Sequence, residues 1–321
     1  MLKAFAAPQT LSEAIRYFSN PDTCLAFVVQ LRWPNGVICP HCNAEGPSFL
    51  KTRRIWKCRK CRKQFSVKVG TIFEDSPLGL DKWLPALWML ANAKNGISSY
   101  EVSRALGVTQ KTAWFMLGRI RLAMQTRTFS RLRGEVEVDE SYIGGVAKFM
   151  HRSRRKRVVK GTGGMSKTAV MGLLQRKSKK GHSQIRGFVV RQDVTKEKLQ
   201  EHIHAEVANG SKVYTDAMWS YRGLGETFMH HVVDHARAYA VGRVHTNGLE
   251  NFWCLLKRAI KGTYTAVDPY HVFRYLDEQV FRFNNRGVKD GDRFRYVLSD
   301  IVGKRLTYKQ LTGADMAATT T

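Results

Sequence analysis

Acidic residues and long apolar runs are what this chain of 321 residues has least of. Asp and Glu together number 26, against 53 Lys and Arg, so the formal net charge is +27. No apolar run approaches the ~20 residues that a membrane-spanning helix needs, and we therefore expect no membrane segment. The N-terminus lacks an apolar stretch followed by a small-residue cleavage site, which argues against a signal peptide.

Cysteine is also scarce, and its placement indicates the compartment. Of six cysteines, Cys24 and Cys254 stand alone and the other four form two Cys-x-x-Cys pairs. This usage is typical of a reducing compartment with a metal site and argues against a disulfide scaffold. We therefore expect a cytoplasmic protein.

Positive charge is what the chain has in excess, and it attracts polyanions at long range. The basic residues are interleaved with folded-looking segments instead of forming a tail. This distribution favours a nucleic-acid-binding protein over a ribosomal or membrane-surface protein. With 43% hydrophobic residues, the chain can form two or more domains with proper cores.

The paired cysteines predict a zinc ribbon over residues 37–70, after an N-terminal helical segment over 1–36. The two pairs are fifteen residues apart and contain Cys39, Cys42, Cys58 and Cys61. Two such pairs supply four thiolates in the tetrahedron that structural Zn²⁺ prefers, so His41 is surplus. A redox role would need a thioredoxin-like βαβ unit, which the flanking sequence does not supply. We predict one structural Zn²⁺.

Two segments before residue 128 are candidates for DNA contact. The ribbon interleaves aromatic residues with basic ones, and the predicted contacts are Arg53, Arg54, Lys57, Arg59 and Lys60. Over 78–128 a short capped helix, a turn at Gly107 and a longer basic helix follow each other, which is the helix-turn-helix pattern. We predict DNA contacts from Lys111 and Arg119 there.

The remainder reads as an α/β domain over 134–290. Three strands, a helix, two more strands and two long helices follow in that order, which is the order of a ribonuclease-H-like mixed sheet with flanking helices. A charge run over 148–165 predicts a mobile basic loop whose DNA contacts are Arg154, Arg155, Lys156 and Arg157. Residues 291–321 are left as a C-terminal tail.

Three acids in this domain are candidate metal ligands. Asp139 and Asp216 end strands of apolar character, and Glu250 opens a helix. Phosphodiester chemistry commonly uses two Mg²⁺ or Mn²⁺ ions about 3.5–4 Å apart, held by oxygen ligands. We predict that these three acids hold such a pair of ions.

Other acids and amides near these positions remain alternatives. Asp234 follows a strand and could replace Glu250, and Asn247, one turn before Glu250, could assist or replace it. Glu140 would point to the opposite face of its strand from Asp139. Glu137 shares the face of Asp139 and reads as a solvated strand residue.

The motifs around these acids resemble the bacterial insertion-sequence transposases of the ISXO type. The resemblance is carried by Glu-Val-Asp-Glu-Ser-Tyr-Ile-Gly-Gly at 137–145, Val-Tyr-Thr-Asp at 213–216, and the segments 245–264 and 275–286. The Trp-Pro-Asn-Gly and cysteine motifs of 33–61 resemble the same group's N-terminus. The resemblance extends from about residue 18 to 286.

This resemblance implies a function and a set of residues. Asp139, Asp216 and Glu250 would form the DDE catalytic set, with Lys257 as the accompanying lysine and Arg258 beside it on DNA. The protein would bind terminal inverted repeats, cleave at the element's ends and join the 3′-OH to target double-stranded DNA. It would act as a homodimer or larger assembly on nucleoid DNA.

Two other functions remain open on the sequence alone. One is a ribonuclease-H-like nuclease or junction resolvase, which would hydrolyse DNA without joining it. The other is a zinc-ribbon DNA-binding regulator without catalysis. Intact acids at all three positions argue against the second of these.

Overall fold

A computed structural model describes residues 8–125, 130–144, 152–153, 167–177, 181–191, 194–233 and 242–314. The chain divides into two compact units, Met1–Gln125 with Val288–Thr321, and Thr126–Gly287. In the sequence, the second unit is thus inserted between the two parts of the first unit. Among the described residues, no helix is long and apolar enough to cross a membrane.

The described elements are as follows. The strands are β1 (Ser48–Leu50), β2 (Ile55–Lys57), β3 (Gln64–Phe65), β4 (Glu135–Ile143), β5 (Thr168–Gln175), β6 (Gln184–Arg191), β7 (Lys212–Asp216) and β8 (Met229–Val233). The α-helices are α1 (Leu11–Tyr17), α2 (Pro21–Arg32), α3 (Leu80–Asn92), α4 (Ser99–Leu106), α5 (Gln110–Ala123), α6 (Lys196–Glu206), α7 (Asn247–Ala259), α8 (Val272–Asn284), α9 (Asp290–Ser299) and α10 (Tyr308–Thr312).

In the first unit, strands β1, β2 and β3 form a small antiparallel sheet in that order. Trp56 of β2 and Phe65 of β3 are direct cross-strand partners, with stacked rings whose centroids are 6.0 Å apart. Both side chains are buried, so these aromatic residues supply the hydrophobic core that such a short sheet otherwise lacks.

Helices α4 and α5 follow the predicted pattern of a short helix, a turn and a longer helix. Ser98 and Glu101 form a reciprocal capping box at the start of α4. Gly107 ends α4 with φ +64°, the left-handed conformation that glycine adopts without steric cost. Thr109 then caps α5 by accepting from the backbone N–H of Thr112.

The C-terminal segment completes the core of this unit. Phe294 of α9 lies 5.6 Å from Phe18, 6.2 Å from Phe27 and 5.1 Å from Trp88, measured between ring centroids. The backbone N–H of Ile72 donates to the carbonyl of Ile301. The predicted tail over 291–321 therefore contains most of α9 and all of α10, and both helices pack into the first unit.

The second unit is built on a five-stranded sheet in the order β6-β5-β4-β7-β8. Strands β4, β5 and β6 are antiparallel neighbours, whereas β7 and β8 run parallel to β4. The mixed α/β architecture and the predicted sequence of strands and helices are confirmed.

Each face of this sheet carries its own hydrophobic core. On one face, Val136 and Val138 of β4 pack with Leu199 and Ile203 of α6. On the other face, Val170 and Leu174 of β5 and Ile185 of β6 pack with residues of α7 and α8. Because successive side chains of a strand alternate between faces, the odd-numbered residues of β4 face α7. Asp139 is one of them.

Candidate active site and zinc site

The four paired cysteines come together in the ribbon. Their sulfur atoms all lie within 4.8 Å of one another, with 3.7 Å between Cys39 and Cys61 and 3.6 Å between Cys42 and Cys58. Sulfur atoms bound to one tetrahedral Zn²⁺ at ~2.3 Å would be roughly 3.8 Å apart, so the observed spacing fits this ion.

Both cysteine pairs adopt the same backbone turn. The N–H of Asn43 donates to the carbonyl of Cys39, and the N–H of Arg62 donates to that of Cys58. Asn43 and Arg62 both have positive φ, 57° and 63°. In the second turn the N–H of Cys61 also donates to the Cys58 sulfur, which lowers the pKa of that thiol to about 6. Donation from the backbone thus favours the thiolate that a metal would bind.

Asp139 and Asp216 lie at neighbouring positions of the second unit's sheet. The parallel ladder between β4 and β7 pairs Glu137 with Tyr214, and two further residues in register would bring Asp139 opposite Asp216. The ladder ends before that point, so both acids lie where the two strands separate at the carboxyl end of β7. In open sheets this is where ligand sites form.

Helix α7 carries Glu250 and is hydrogen-bonded to β4, the strand that carries Asp139. The indole Nε1 of Trp253 donates to Oδ2 of Asp139 over 3.0 Å. The approach of α7 depends on Gly172, the β5 partner of Asp139. A Cβ at Gly172 would lie 2.6 Å from Leu249 and 2.9 Å from Trp253, closer than side chains tolerate.

The pKa of Asp139 is affected by the charges of the other two acids. Burial, together with the charges of Asp216 and Glu250, raises the pKa of Asp139 to about 6, against the lowering effect of the Trp253 hydrogen bond. Like charges held at one buried edge make ionisation costly, and a bound cation would relieve that cost.

The three acids do not form a compact metal cluster. Within the described part of the chain, only the four cysteines form a group of three or more potential ligands whose atoms all lie within 4.8 Å of one another. Ligands shared between two ions need not meet this spacing, since the ions are ~4 Å apart and each bond adds ~2.1 Å.

Glu140 lies close to these acids although it faces the other side of β4. Its carboxylate accepts a hydrogen bond from the hydroxyl of buried Tyr221. Burial raises the pKa of Glu140 to about 8, and the charges of Asp139 and Asp216 contribute to this. The strand pattern predicts Glu140 on the opposite face but gives no sign of this contact, because Tyr221 is 81 residues away along the chain.

Glu137, predicted to be a solvated strand residue, is instead buried with 1% exposure, and that prediction is corrected. Its Oε1 accepts from Nε of Arg176 over 2.7 Å, and its Oε2 accepts from the backbone N–H of Leu249 over 3.0 Å. Arg176 also donates to the carbonyls of Arg243 and His245, just before α7. The pair thereby ties β4 to the first turn of the helix that carries Glu250.

Comparison with known proteins agrees with this architecture. Residues 131–284 match the family described as ISXO2-like transposase domain, and residues 19–64 match the family described as transposase zinc-ribbon domain. Over these two stretches the chain is similar to ISXO2-like transposases. The resemblance drawn from the motifs is therefore confirmed.

A curated relative of this chain comes from a transposable element. It is a protein of Halobacterium salinarum described as "Uncharacterized protein in transposable element ISH50". The two are 27% identical over 284 residues, which is 84% of this chain and 94% of the relative.

The basic residues predicted as DNA contacts have different surroundings. In the ribbon they are all exposed, and they are Arg53, Arg54, Lys57, Arg59 and Lys60. Arg54 forms an ion pair with Asp22 over 2.5 Å. Lys111 on α5 is exposed, with its ammonium 5.0 Å from the ring centroid of Tyr308. On α7, Lys257 is half-buried two turns after Glu250, and Arg258 is exposed.

Arg119 is a correction to the predicted DNA contacts. Its side chain is 4% exposed, and its guanidinium donates to the backbone carbonyls of Ile72, Glu74 and Leu306. An arginine used in this way holds three chain segments together and is not accessible to a phosphate. The helical position alone gave no signal of this, because the acceptors come from distant segments.

Several predicted residues lie outside the described part of the chain. They are Arg154, Arg155, Lys156, Arg157 and the alternative ligand Asp234. Most of the predicted basic loop over 148–165 also lies outside it. Asn247 is described, and it is exposed at the first position of α7.

Proposed function

We propose that this chain is a DDE-type DNA transposase. It binds the terminal inverted repeats of an insertion sequence, cleaves the DNA at the element's ends and joins the 3′-OH to target DNA. The single observation that supports this most strongly is the placement of Asp139 and Asp216 on adjacent strands, with the Glu250 helix bonded to the same strand. The match of residues 131–284 to a transposase domain supports the same proposal.

The strand order supports a ribonuclease-H-like fold for the catalytic unit. Three antiparallel strands followed by two parallel ones, with helices on both faces, give the order 3-2-1-4-5. That arrangement brings acids from strand ends and a flanking helix to one edge. In the first unit, we propose that α4 and α5 act as a helix-turn-helix that uses Lys111 on DNA.

Asp139, Asp216 and Glu250 are the residues that would hold Mg²⁺ or Mn²⁺. All are carboxylates, the hard oxygen ligands these ions prefer. The buried, like-charged surroundings of Asp139 fit a site completed by a cation. Two bound ions would supply activation of the attacking oxygen and stabilisation of the leaving one.

The chain's own residues orient this chemistry. Trp253 holds the Asp139 carboxylate through its indole N–H, and the Glu137–Arg176 pair fixes the start of the Glu250 helix. Lys257, two turns further along α7, contacts a DNA phosphate in this proposal. A water and then a 3′-hydroxyl attack the phosphorus in line, and each attack breaks the opposite P–O bond without a covalent protein intermediate.

The activity is tested with the purified chain, Mg²⁺ and a duplex that carries the end of the element encoding it. Joined products together with nicks are expected. Nicks without joining would indicate a nuclease or junction resolvase, and binding with neither product would indicate a regulator. Asp139→Asn and Asp216→Asn should abolish both products while DNA binding survives.

The third ligand is tested in the same assay by a set of variants. Glu250→Gln should remove activity, whereas Asn247→Ala and Asp234→Asn should retain it. Activity retained in Glu250→Gln and lost in Asp234→Asn would reassign the third ligand. Sedimentation of the protein bound to duplexes that carry the element's end tests the expected homodimer or larger assembly on DNA.

A further inference from the structure

One tryptophan has surroundings unlike those of the other six. Trp219 is 61% exposed. The others are buried or half-buried, and they are Trp33, Trp56, Trp83, Trp88, Trp114 and Trp253. A large ring in water forgoes the hydrophobic gain of burial, so a ring that stays exposed on an ordered turn points to a binding partner.

The ring lies close in sequence to the candidate active site. Asp216 ends β7, and its Oδ1 accepts from the backbone N–H of Met218 over 3.1 Å. A 3-10 helix over Trp219–Tyr221 follows directly. Three residues span at most roughly 10 Å, so Trp219 is within one or two nucleotides of Asp216.

The turn that presents the ring is held firmly. The side-chain amide of Gln200 on α6 donates to the carbonyls of Ser220 and Arg222, over 2.9 and 3.0 Å. Tyr221 is buried and its hydroxyl bonds to Glu140. The exposed ring is therefore attached to a fixed backbone, which lowers the entropy lost when a flat ligand stacks on it.

A lysine ammonium lies beside the ring. The ammonium of Lys196, at the start of α6, lies 5.7 Å from the Trp219 ring centroid. Lys198 and Arg222 are both exposed nearby in sequence on α6 and the turn. An exposed aromatic face with cations beside it is the combination that binds single-stranded nucleic acid, because the ring stacks on a base and the cations contact the backbone.

We infer that Trp219 is a stacking platform for an unpaired base of the DNA strand that enters the Asp139–Asp216 site, with Lys196 on the adjoining phosphate. This inference rests on the proposed function and adds the form of the substrate to it. Paired bases are stacked on one another and cannot offer a face to the ring. The platform therefore selects DNA whose strands are separated next to the cleavage point.

The test compares binding of two probes in the Asp139→Asn background, which prevents cleavage. One probe is a blunt duplex, and the other is the same duplex with a single-stranded oligo(dT) overhang. Trp219→Ala should weaken binding of the overhang probe by roughly 5- to 100-fold, the range for loss of one stacked base. Blunt-duplex binding should change little. Trp219→Phe should restore most of the difference, since phenylalanine also stacks.

Fluorescence supplies a second readout on the same proteins. Stacking of a base quenches tryptophan emission, so oligo(dT) should quench the parent protein at saturation. In Trp219→Phe the overhang should still bind with this quenching largely absent. Tyr296→Ala, which removes an exposed aromatic side chain of the first unit, is the matched control and should leave both readouts unchanged.

The outcomes separate this inference from the proposed function. If the wild-type chain cleaves and joins DNA but Trp219→Ala binds both probes like its parent, the stacking role alone is overturned. Equal weakening on both probes, or a change in oligomeric state without a change in overhang preference, would also overturn it. A wild-type chain that binds neither probe and processes no DNA overturns both proposals.

Discussion

The carboxylate of Glu137 joins the guanidinium of Arg176, 2.7 Å away, to the first turn of α7. Arg176 also lies 4.3 Å from the ring centroid of Tyr214 on β7. The carboxylate at the helix start accepts a backbone N–H and interacts favourably with the helix dipole. Asp139 is two residues further along the same strand, so one ion pair fixes the geometry between two candidate metal ligands.

Removal of one partner of this pair should destabilise the second unit strongly. Glu137→Ala leaves the Arg176 charge buried and the Leu249 N–H without its acceptor, and we expect a loss of about 3–5 kcal/mol in the free energy of unfolding. Urea unfolding measures it.

The double variant Glu137→Met with Arg176→Met tests whether the pair acts as a unit. It leaves no unpaired charge, so it should be less destabilised than the sum of the single variants. Additive losses would show that the two side chains act independently.

Gly172→Ala should displace α7 from the sheet. The added methyl would overlap Leu249 and Trp253, and we expect destabilisation of about 1–3 kcal/mol together with loss of activity. Gly225→Ala is the matched control, because no atom lies within 4 Å of its Cβ position. Equal effects of the two substitutions on unfolding would contradict the close approach of α7 at Gly172.

Asp139→Asn should stabilise the protein in the absence of divalent ions. The folded-state pKa of Asp139 is raised to about 6, so its destabilising effect grows as pH rises from 4 to 6 and is complete above that range. The substitution should add up to about 3 kcal/mol at pH 7, and the gain should vanish near pH 4. Urea unfolding at both pH values, without a chelator that would also remove zinc, measures this.

With Mg²⁺ or Mn²⁺ present, the wild type should become more stable than Asp139→Asn. A cation that binds the folded state raises stability by mass action, so the wild type should gain and Asp139→Asn should not. Glu201→Gln, which neutralises an exposed acid of α6, should respond to the ions like the wild type. If Asp139→Asn gained as much as the wild type, the acids would not be the ion's ligands.

Zinc content should follow the paired cysteines alone. We expect one Zn²⁺ per chain, lost in Cys58→Ser and retained in Cys254→Ser, measured by metal analysis. In the zinc-loaded protein at pH 8, a thiol reagent should modify exposed Cys254 rapidly. Cys24 should react slowly, because it is buried and burial raises the pKa of its thiol to about 12. Rapid modification of two thiols would contradict this assignment.

The features that could be predicted from the sequence are those that depend on the spacing of residues close together in the chain. The cysteine pairs lie within 23 residues, and their interval sufficed for the zinc ribbon. The mixed α/β architecture followed from apolar patterning of strands and helices. Asp216 was found because it ends such a pattern and is the last residue of β7, whereas Asp139, also predicted at a strand end, lies in the middle of β4.

The features that were missed depend on contacts between distant segments. Glu137 alternates with valines as a half-exposed strand residue would, and its partner Arg176 is 39 residues away. Arg119 meets carbonyls 45, 47 and 187 residues away. The C-terminal helix α9 did carry a signal, since Phe294, Val297 and Leu298 have helical spacing and are all buried.

The split of the first unit across both ends of the chain has a consequence for biosynthesis. Phe294 and the Leu306 carbonyl complete contacts with residues made 187 or more positions earlier. A nascent chain on the ribosome can finish the inserted unit while the first one still lacks part of its interior. The interior of the first unit can therefore be completed only after the whole of the second unit has been synthesised.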